Sequence, residues 1–523
     1  MPIMPITDVR RRLTGSIASV LLLAGVAAGL GIVEGGCAQT SDDGSSSASN
    51  RAASARGAAI DQPIRIDGNT EDWPGGGEVV AAGDAHHVYF RFSTAGKPFA
   101  IQAADQATCI LLDVDADTQT GQRLDQRSGG AGRLSNLGID LEIQASPLKP
   151  AGGTARGVAI NAVDSSGFAL PLSREDFDLS FAPTYATTWY EARLSRTPDN
   201  PGNLPTQGLL SRGSMRGVFA LKNGDGKIVG VSDPFMVTLG AAATQKPLSD
   251  ALPPSKPEGA LRVMNYNVLK SAPVKNPEPF RRILDVLQPD VILFQEWEEG
   301  SAGDLAQWLA ANKTGQAWYV AKPSGNMGAG GGVVVASRFP ILTNFGNVKA
   351  NEKPVRAVGA VIDSPLGPVV ATSVHLKCCG TSGSEEDLRR MDEARAINAA
   401  VMKASDASKA SIRVIAGDFN LVGSRPPLDL ARQGLDADGS DMAIADAQVL
   451  GDALVETWSE DGNDFSPGRL DYLLYSDASV TAKNAFVFNT RRLSAAALAK
   501  LGLDAEDSAS SDHMPVVVDL MAK

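Results

Sequence analysis

Positive charge is what this chain is short of. Lys and Arg number 48 against 60 Asp and Glu, a formal net charge of −12. Proteins that grip duplex DNA through its phosphates present a cationic surface, so this balance counts against tightly held duplex DNA as a partner. Histidine and cysteine are scarce too, with four of each in 523 residues. Cys37, Cys109, Cys378 and Cys379 fall into no Cys/His spacing that a tetrahedral zinc site uses. Long hydrophobic runs are absent save one, about Ile17 to Val33, which is too short and too glycine-rich to read as a membrane span. What is present is globular in kind: 43% apolar and 21% charged residues. The length exceeds what one core sustains, which predicts two folded domains plus extensions.

The apolar run follows Arg10, Arg11 and Arg12 and ends at Gly-Gly-Cys37, ahead of the polar tract SDDGSSSASN. Residues 1–37 therefore read as an export signal. The junction resembles bacterial lipoprotein signals, with Cys37 as the lipid anchor, although Glu34 stands where an apolar residue is usual. The implied location is the cell envelope as an anchored lipoprotein, or the exterior as a secreted protein. Residues 38–60 read as a disordered linker. Across 61–243, short alternating bursts (HVYFRF, GIDLEI, WYEARL, GVFALK, FMVTL) separated by Gly, Asp, Asn and Pro predict an all-β sandwich. The Pro-rich stretch 244–259 reads as a second linker. From 260 to 523 strands and helices mix. FRRILDVL spaces its apolar residues on one helical face, and SEEDLRRMDEARAINAAV reads as a helix capped by Ser384. Cys109 in TCILLDV reads as a buried small hydrophobe, and the adjacent Cys378 and Cys379 are spaced for a vicinal disulfide in an oxidising compartment.

Six stretches in the second half carry polar groups that no core needs: YNV (Asn267), FQE (Glu296), SVHL (His375), GDFN (Asp418, Asn420), RLDY (Asp471) and SDHMP (Asp512, His513). Each lies at or just past the end of an apolar run, which gathers hard oxygen donors and two imidazoles at one end of a sheet. That composition suits metal-assisted attack on a phosphoester. Glu296 surfaces at the end of a buried strand, where an uncompensated carboxylate is costly and a divalent cation relieves the cost. Asn265 shares the strand face of Asn267 by the two-residue period. Asp418 and Asn420 stand two residues apart at one strand end, so both side chains face one direction and can orient water and hold a phosphate oxygen, the plainer alternative being an Asx turn after a strand. An Asp471–His513 couple fixes the ring tautomer and raises the basicity of its other nitrogen. His86 and His87 read as surface, Arg338 as a loop brace, and the glycine-rich stretch Asn326–Gly332 as a loop without P-loop chemistry.

In order and wording these stretches resemble the endonuclease/exonuclease/phosphatase (DNase I-like) superfamily over residues 260–523. The resemblance implies a four-layer α/β sandwich following the all-β sandwich. It favours Asn267 over Asn265 and places Glu296, Asn267 and Asp512 around Mg²⁺ or Mn²⁺. It also assigns His513, Asp471, Asp418, Asn420 and His375 to catalysis, Asp418 being a general base in some members and His375 standing near the phosphate. The function implied is an exported, metal-dependent phosphodiesterase or nuclease. A lipid or small-molecule phosphoesterase is the alternative, which the acidity favours, and a non-catalytic surface binding protein is a further one.

In the first half, PIRIDGNTEDW, LLDVDADTQTG, GIDLEI and WYEARL resemble secreted β-sandwich domains related to family 9 carbohydrate-binding modules. Asp113, Asp115 and Asp117, with Asp140, would relieve their mutual repulsion around Ca²⁺. Trp73 and Trp189 read as core residues ahead of sugar platforms, so a glycan is only an optional partner.

Overall fold

A computed structural model describes residues 56–523 apart from 95, 97, 124–135, 200–212, 312–316 and 324–331. The export signal with Cys37, and all but Gly332 of the glycine-rich stretch, lie outside the described residues.

The alternating bursts of the first half fold as two facing sheets. One has five strands and includes His87–Ser93 and Trp189–Ser195. The other has seven and includes Ala107–Asp113, Leu141–Ala145 and Ser214–Lys222. Their inward residues, among them Phe90, Phe92, Ile110, Leu112, Ile143, Tyr190 and Phe235, form one apolar core. The stretch Gly57–Ala59, expected as linker, is a strand paired in parallel with Ala81–Gly83. Cys109 is fully buried.

The second half is a four-layer α/β sandwich. A seven-stranded sheet contains Leu261–Asn267, Val291–Trp297, Gly332–Ser337 and Val516–Ala522. A six-stranded sheet contains Ala357–Ser364, Gly367–His375, Ile412–Asp418 and Asp471–Tyr475. Val263, Val291, Leu293 and Val335 of the first sheet meet Ala371, Val414, Ala416 and Leu473 of the second between the layers. On the outer face of the first sheet, Met264, Tyr266, Ile292 and Phe294 pack on Phe280, Ile283 and Leu287 of helix Pro277–Leu287. On the outer face of the other, Val370, Val374 and Ile415 pack on Ile397 and Val401 of helix Glu385–Ser408. Ser384 caps that helix by accepting the Asp387 N–H, and three acids occupy its first turn.

The 244–259 stretch lies along the second half rather than hanging free. Ser249 bridges to Leu493, and Lys256 pairs with Asp290 at 2.7 Å. The two halves share a continuous seam in which Ile64, Ile66, Trp73 and Tyr89 pack on Val449, Leu454, Val487 and Met514. A buried ionic network crosses beside it. Arg193 holds Asp178 at 2.6 Å and also Asp452, while Arg492 holds Asp178 at 2.7 Å and Glu456 at 3.1 Å. Removing one partner of such a buried network strands a charge and costs about 3–5 kcal/mol. His87, expected at the surface, is buried against this network with Nε2 3.3 Å from Asp178. Trp73 is a core residue whose indole N–H donates to buried Glu191. Trp189 is exposed instead, with the Arg91 guanidinium 5.7 Å from its ring. Its register opposite Ser93, near the sheet's end, carries it past the layer of core side chains.

Candidate active site

Strand periodicity builds the site. In the six-stranded sheet the inward positions Val369 and Ala371 continue to Ser373 and His375, while Ile412, Val414 and Ala416 continue to Asp418. Leu473 is likewise preceded on its own face by Asp471. In the facing sheet Leu261 and Val263 lead to Asn265 and Asn267, and Val291 and Leu293 lead to Gln295. The apolar filling therefore gives way to a polar layer at one edge of both sheets. Three of its members are aligned by backbone pairing, His375 opposite Asp418 and Asp418 opposite Asp471. Amides tie the sheets together there. Asn265 Nδ2 donates to Asp471 Oδ1 at 3.0 Å, and Gln295 Nε2 donates to Asn265 Oδ1 at 2.9 Å and Ser373 Oγ at 3.0 Å.

His513 enters from the loop before Val516–Ala522. Its Nδ1 lies 2.7 Å from Asp471 Oδ2, and its Nε2 lies 3.8 Å from Asp418 Oδ2. Thr457, which sequence reading did not single out, donates its hydroxyl to Asp471 Oδ2 at 2.8 Å and accepts the Leu470 and Asp471 N–H groups. Burial opposes a charge on His513, but the Asp471 carboxylate, with Asp418 and Asp512, outweighs it and raises the ring's pKa to about 10. Burial also lifts the Asp418 carboxyl to about 7, against the counter-pull of His513.

His375 is set differently. Its Nδ1 lies 3.0 Å from the Arg356 guanidinium, which carries only donors, so Nδ1 accepts and the proton of the neutral ring sits on Nε2. Nε2 lies 3.4 Å from Asp418 Oδ2. Burial, then the charges of Arg356 and His513, hold the His375 pKa well below the ordinary imidazole value. Arg356 was also not singled out from sequence, and only its tertiary contact reveals it.

Asn420 departs from the strand reading. The strand ends at Asp418, and Asn420 takes φ +49°, so alternation does not carry its side chain to Asp418. An Asx-type turn does: the Asn420 N–H donates to Asp418 Oδ1 at 2.8 Å, and its Nδ2 donates to Asp418 Oδ2 at 2.9 Å. The turn and the placement at the site are one arrangement.

Glu296 sits at a bulge with φ +58°, and its carboxylate accepts from Asn267 Nδ2 at 3.3 Å and the Lys270 N–H at 3.0 Å. Gly332 is needed beside it, because a Cβ there would lie 2.8 Å from Glu296 Cα. Asn267 turns its Nδ2, not its carbonyl, toward Glu296 and toward Asp418 at 3.5 Å. It braces two carboxylates, and its Oδ1 accepts the Leu269 N–H at 3.2 Å. Asp512 Oδ2 accepts from Trp458 Nε1 at 3.1 Å, whereas the buried Oδ1 has no hydrogen-bond partner among the described residues. An orphaned carboxylate oxygen and Glu296 in one pocket fit a hard divalent cation that keeps several waters, as Mg²⁺ does. Glu296, His375, Asp418, Asn420, Asp512 and His513 line a cavity of about 320 Å³. A second cavity of about 180 Å³ at the seam between the halves, beside Arg65, Arg425 and Arg469, holds none of these residues.

In the first half, Asp113, Asp115 and Asp140 bring one carboxylate oxygen each within 4.8 Å of one another. Asp117 is not among them; its Oδ1 accepts the Gln119 N–H at 2.9 Å, closing a turn. Asp113 is fully buried, with Oδ2 on Arg216 at 2.6 Å and Oδ1 without a hydrogen-bond partner among the described residues. Burial and the neighbouring Asp115 and Asp113 charges push the Asp140 carboxyl up to about 7. The group is short of positive charge, and a Ca²⁺ ion fits it. The thiols of Cys378 and Cys379 are free, 2.9 Å apart at the pocket rim. Arg338 braces a loop, its guanidinium 5.2 Å from the Trp318 ring.

Comparison with curated proteins returns no match. Among solved structures, an endonuclease/exonuclease/phosphatase from Bacteroides vulgatus is 14% identical, with 50% of this chain and 99% of that one covered and a TM-score of 0.36. A 3′–5′ exonuclease from Neisseria meningitidis is 17% identical, with 50% and 99% covered and a TM-score of 0.35. A Beutenbergia cavernae endonuclease/exonuclease/phosphatase is 19% identical, with 51% and 72% covered and a TM-score of 0.33. The family model described as Endonuclease/Exonuclease/phosphatase family matches residues 264–513. That segment, which holds Asn267 at one end and His513 at the other, belongs to the endonuclease/exonuclease/phosphatase family.

Proposed function

We propose that the protein is a divalent-metal-dependent phosphoester hydrolase of the phosphodiesterase type. The observation that carries this reading is the line of His375, Asp418 and Asp471 across three paired strands, with His513 seated against both carboxylates in one cavity. Glu296 and Asp512 would hold the cation, with Asn267 beside them, and a bound cation supplies charge neutralisation at the phosphate. Asp471 orients His513 through Nδ1 and leaves Nε2 facing Asp418 and the cavity. Asp418, its pKa lifted to about 7, takes the proton of the attacking water, and the charged His513 ring beside it stabilises the carboxylate and the developing charge. The Nε2–H of His375 donates to the phosphate oxygens as their charge grows, while Asn420, its Nδ2 held by Asp418 and the Leu376 carbonyl, fixes the Asp418 carboxylate, with no covalent intermediate.

The test is incubation of the purified protein with Mg²⁺ and, in parallel, plasmid DNA, sphingomyelin and bis(p-nitrophenyl) phosphate. Cleavage of any of these that EDTA abolishes and Asp418→Asn removes supports the reading. Silence across all three, with the fold intact by circular dichroism, defeats it.

A further inference from the structure

The cavity that holds the catalytic constellation is not built by the second half alone. Ala100, Gln102, Ala103, Arg156 and Thr184, all from the first half, line it together with Glu296 and His513. Three anchors fix this wall at the rim. Gln102 makes a two-way amide lock on Ser466, donating to its hydroxyl at 3.0 Å and accepting its N–H at 2.9 Å. The Val158 N–H donates to the Asp464 carbonyl at 2.7 Å, and a Cβ at Gly157 would lie 2.1 Å from that oxygen, so only glycine permits the approach. Thr184 donates its hydroxyl to the Leu421 carbonyl at 2.6 Å, and the Ala186 N–H reaches the Gly423 carbonyl at 2.8 Å. Leu421 follows Asn420 directly, and Gly423 stands two residues beyond Leu421. The wall is therefore joined to the same loops that present the catalytic residues.

Arg156 is the cation of this wall. It is exposed, precedes the anchored Gly157, and forms no ion pair with a described residue. Its charge is felt by the Cys379 thiol on the rim. A positive charge so placed, in a chain of net charge −12, has an anion to meet. A guanidinium suits phosphate or carboxylate because its donors match two oxygens at once. A cavity of about 320 Å³ falls in the range of small-molecule sites.

Resting on the phosphoesterase reading, we infer that the first half is a fixed wall of the active site. Arg156 recognises a second anionic group on a compact phosphoester, and extended duplex DNA is a poor substrate. Arg156 is a specificity residue and takes no part in bond breaking.

The full chain is assayed with Mg²⁺ on thymidine 5′-(p-nitrophenyl phosphate), on the same compound carrying a 3′-phosphate, on bis(p-nitrophenyl) phosphate and on supercoiled plasmid. The expected result is a KM about tenfold lower for the 3′-phosphorylated nucleotide and little nicking of plasmid. Arg156→Ala raises that KM to the level of the unphosphorylated compound while kcat changes less than twofold, and Arg156→Lys restores part of the preference. Because Arg156 is exposed, its replacement leaves the core undisturbed. Turnover without preference, a preference that survives Arg156→Ala, or plasmid cleaved as readily as the nucleotides overturns the inference and leaves the phosphoesterase reading standing. No turnover of any substrate takes both down.

Discussion

Asp418 and Asp471 face each other as register partners on adjacent antiparallel strands, both almost wholly buried. Two carboxylates so placed destabilise a sheet by up to about 1 kcal/mol even when solvated. His513 sits against both, 2.7 Å from Asp471 and 3.8 Å from Asp418, and offsets the repulsion. A like-charge pairing that costs stability is what the proposed chemistry would leave in a fold. Asp418→Asn keeps the acceptor for the Asn420 N–H and removes one of the opposed charges, at the cost of the acceptor for Asn420 Nδ2. The expected outcome is a melting temperature equal to or a few degrees above that of the parent, with kcat reduced by about 10²–10⁴. A marked loss of stability in this variant would show that Asp418 is structural.

Arg356 holds His375 through Nδ1 and does not itself line the cavity. Replacing it with Leu removes the donor on Nδ1, so the ring is free to move its proton and to titrate nearer its ordinary value. Activity should fall about 10–100-fold, the usual scale for a group that orients another. With four histidines in the chain, nitrogen NMR can follow the tautomer directly. An unchanged Nε2–H tautomer in Arg356→Leu would remove the orienting role.

Cation dependence should separate Glu296 from Asp471. Glu296→Gln is expected to raise the Mg²⁺ concentration for half-maximal activity at least about tenfold, with much of kcat recovered at saturation. Asp471→Asn is expected to lower kcat at every Mg²⁺ concentration, because it disturbs the His513 ring and not the cation. Identical Mg²⁺ profiles for the two variants would show that the roles are misassigned.

Much of this site was legible because strand alternation is strict. Once Val414 and Ala416 point inward, Asp418 must follow, and the same parity sets Asp471, His375 and Asn267. The parity failed where the backbone left the strand, as at Asn420 with its positive φ. Arg356, Thr457 and Trp458 escaped notice because nothing local marks them; each gains meaning only from a partner elsewhere in the fold. Gln102, Arg156 and Thr184 were hidden for a stronger reason, since two separately folding patterns in one chain do not say how they will pack. Asp117 shows the opposite error, in which regular spacing of carboxylates suggested a ligand and the chain used it to close a turn.

The triad of Asp113, Asp115 and Asp140 should respond to Ca²⁺. An ion that binds only the folded chain stabilises it by RT ln(1 + [L]/Kd), about 2.7 kcal/mol at a hundredfold excess over Kd. Millimolar Ca²⁺ is expected to raise the melting temperature of chelator-treated protein. Asp140→Asn should abolish the rise, while Asp117→Asn should keep it, since Asp117 lies outside the cluster. A rise that survives Asp140→Asn would place the ion elsewhere.

His87 ties the pH dependence of stability to the seam between the halves. Burial, and then the Arg193 charge, depress its pKa below the ordinary imidazole value, while Asp178 and Asp452 pull the other way and lose. The folded ring is therefore neutral where the unfolded one has begun to take a proton. Its contribution is present in full above about pH 6.5 and is lost as pH falls toward the depressed native value, because proton uptake then favours the unfolded chain. In His87→Gln the amide can still reach Asp178 but does not titrate. Urea midpoints measured at pH 7.5, 6.5, 5.5 and 5.0 should fall less steeply for the variant than for the parent, with the two curves parallel above neutrality. Parallel curves throughout would mean that the ring takes its proton equally well in both states, and the seam would then lack this sensitivity to acid.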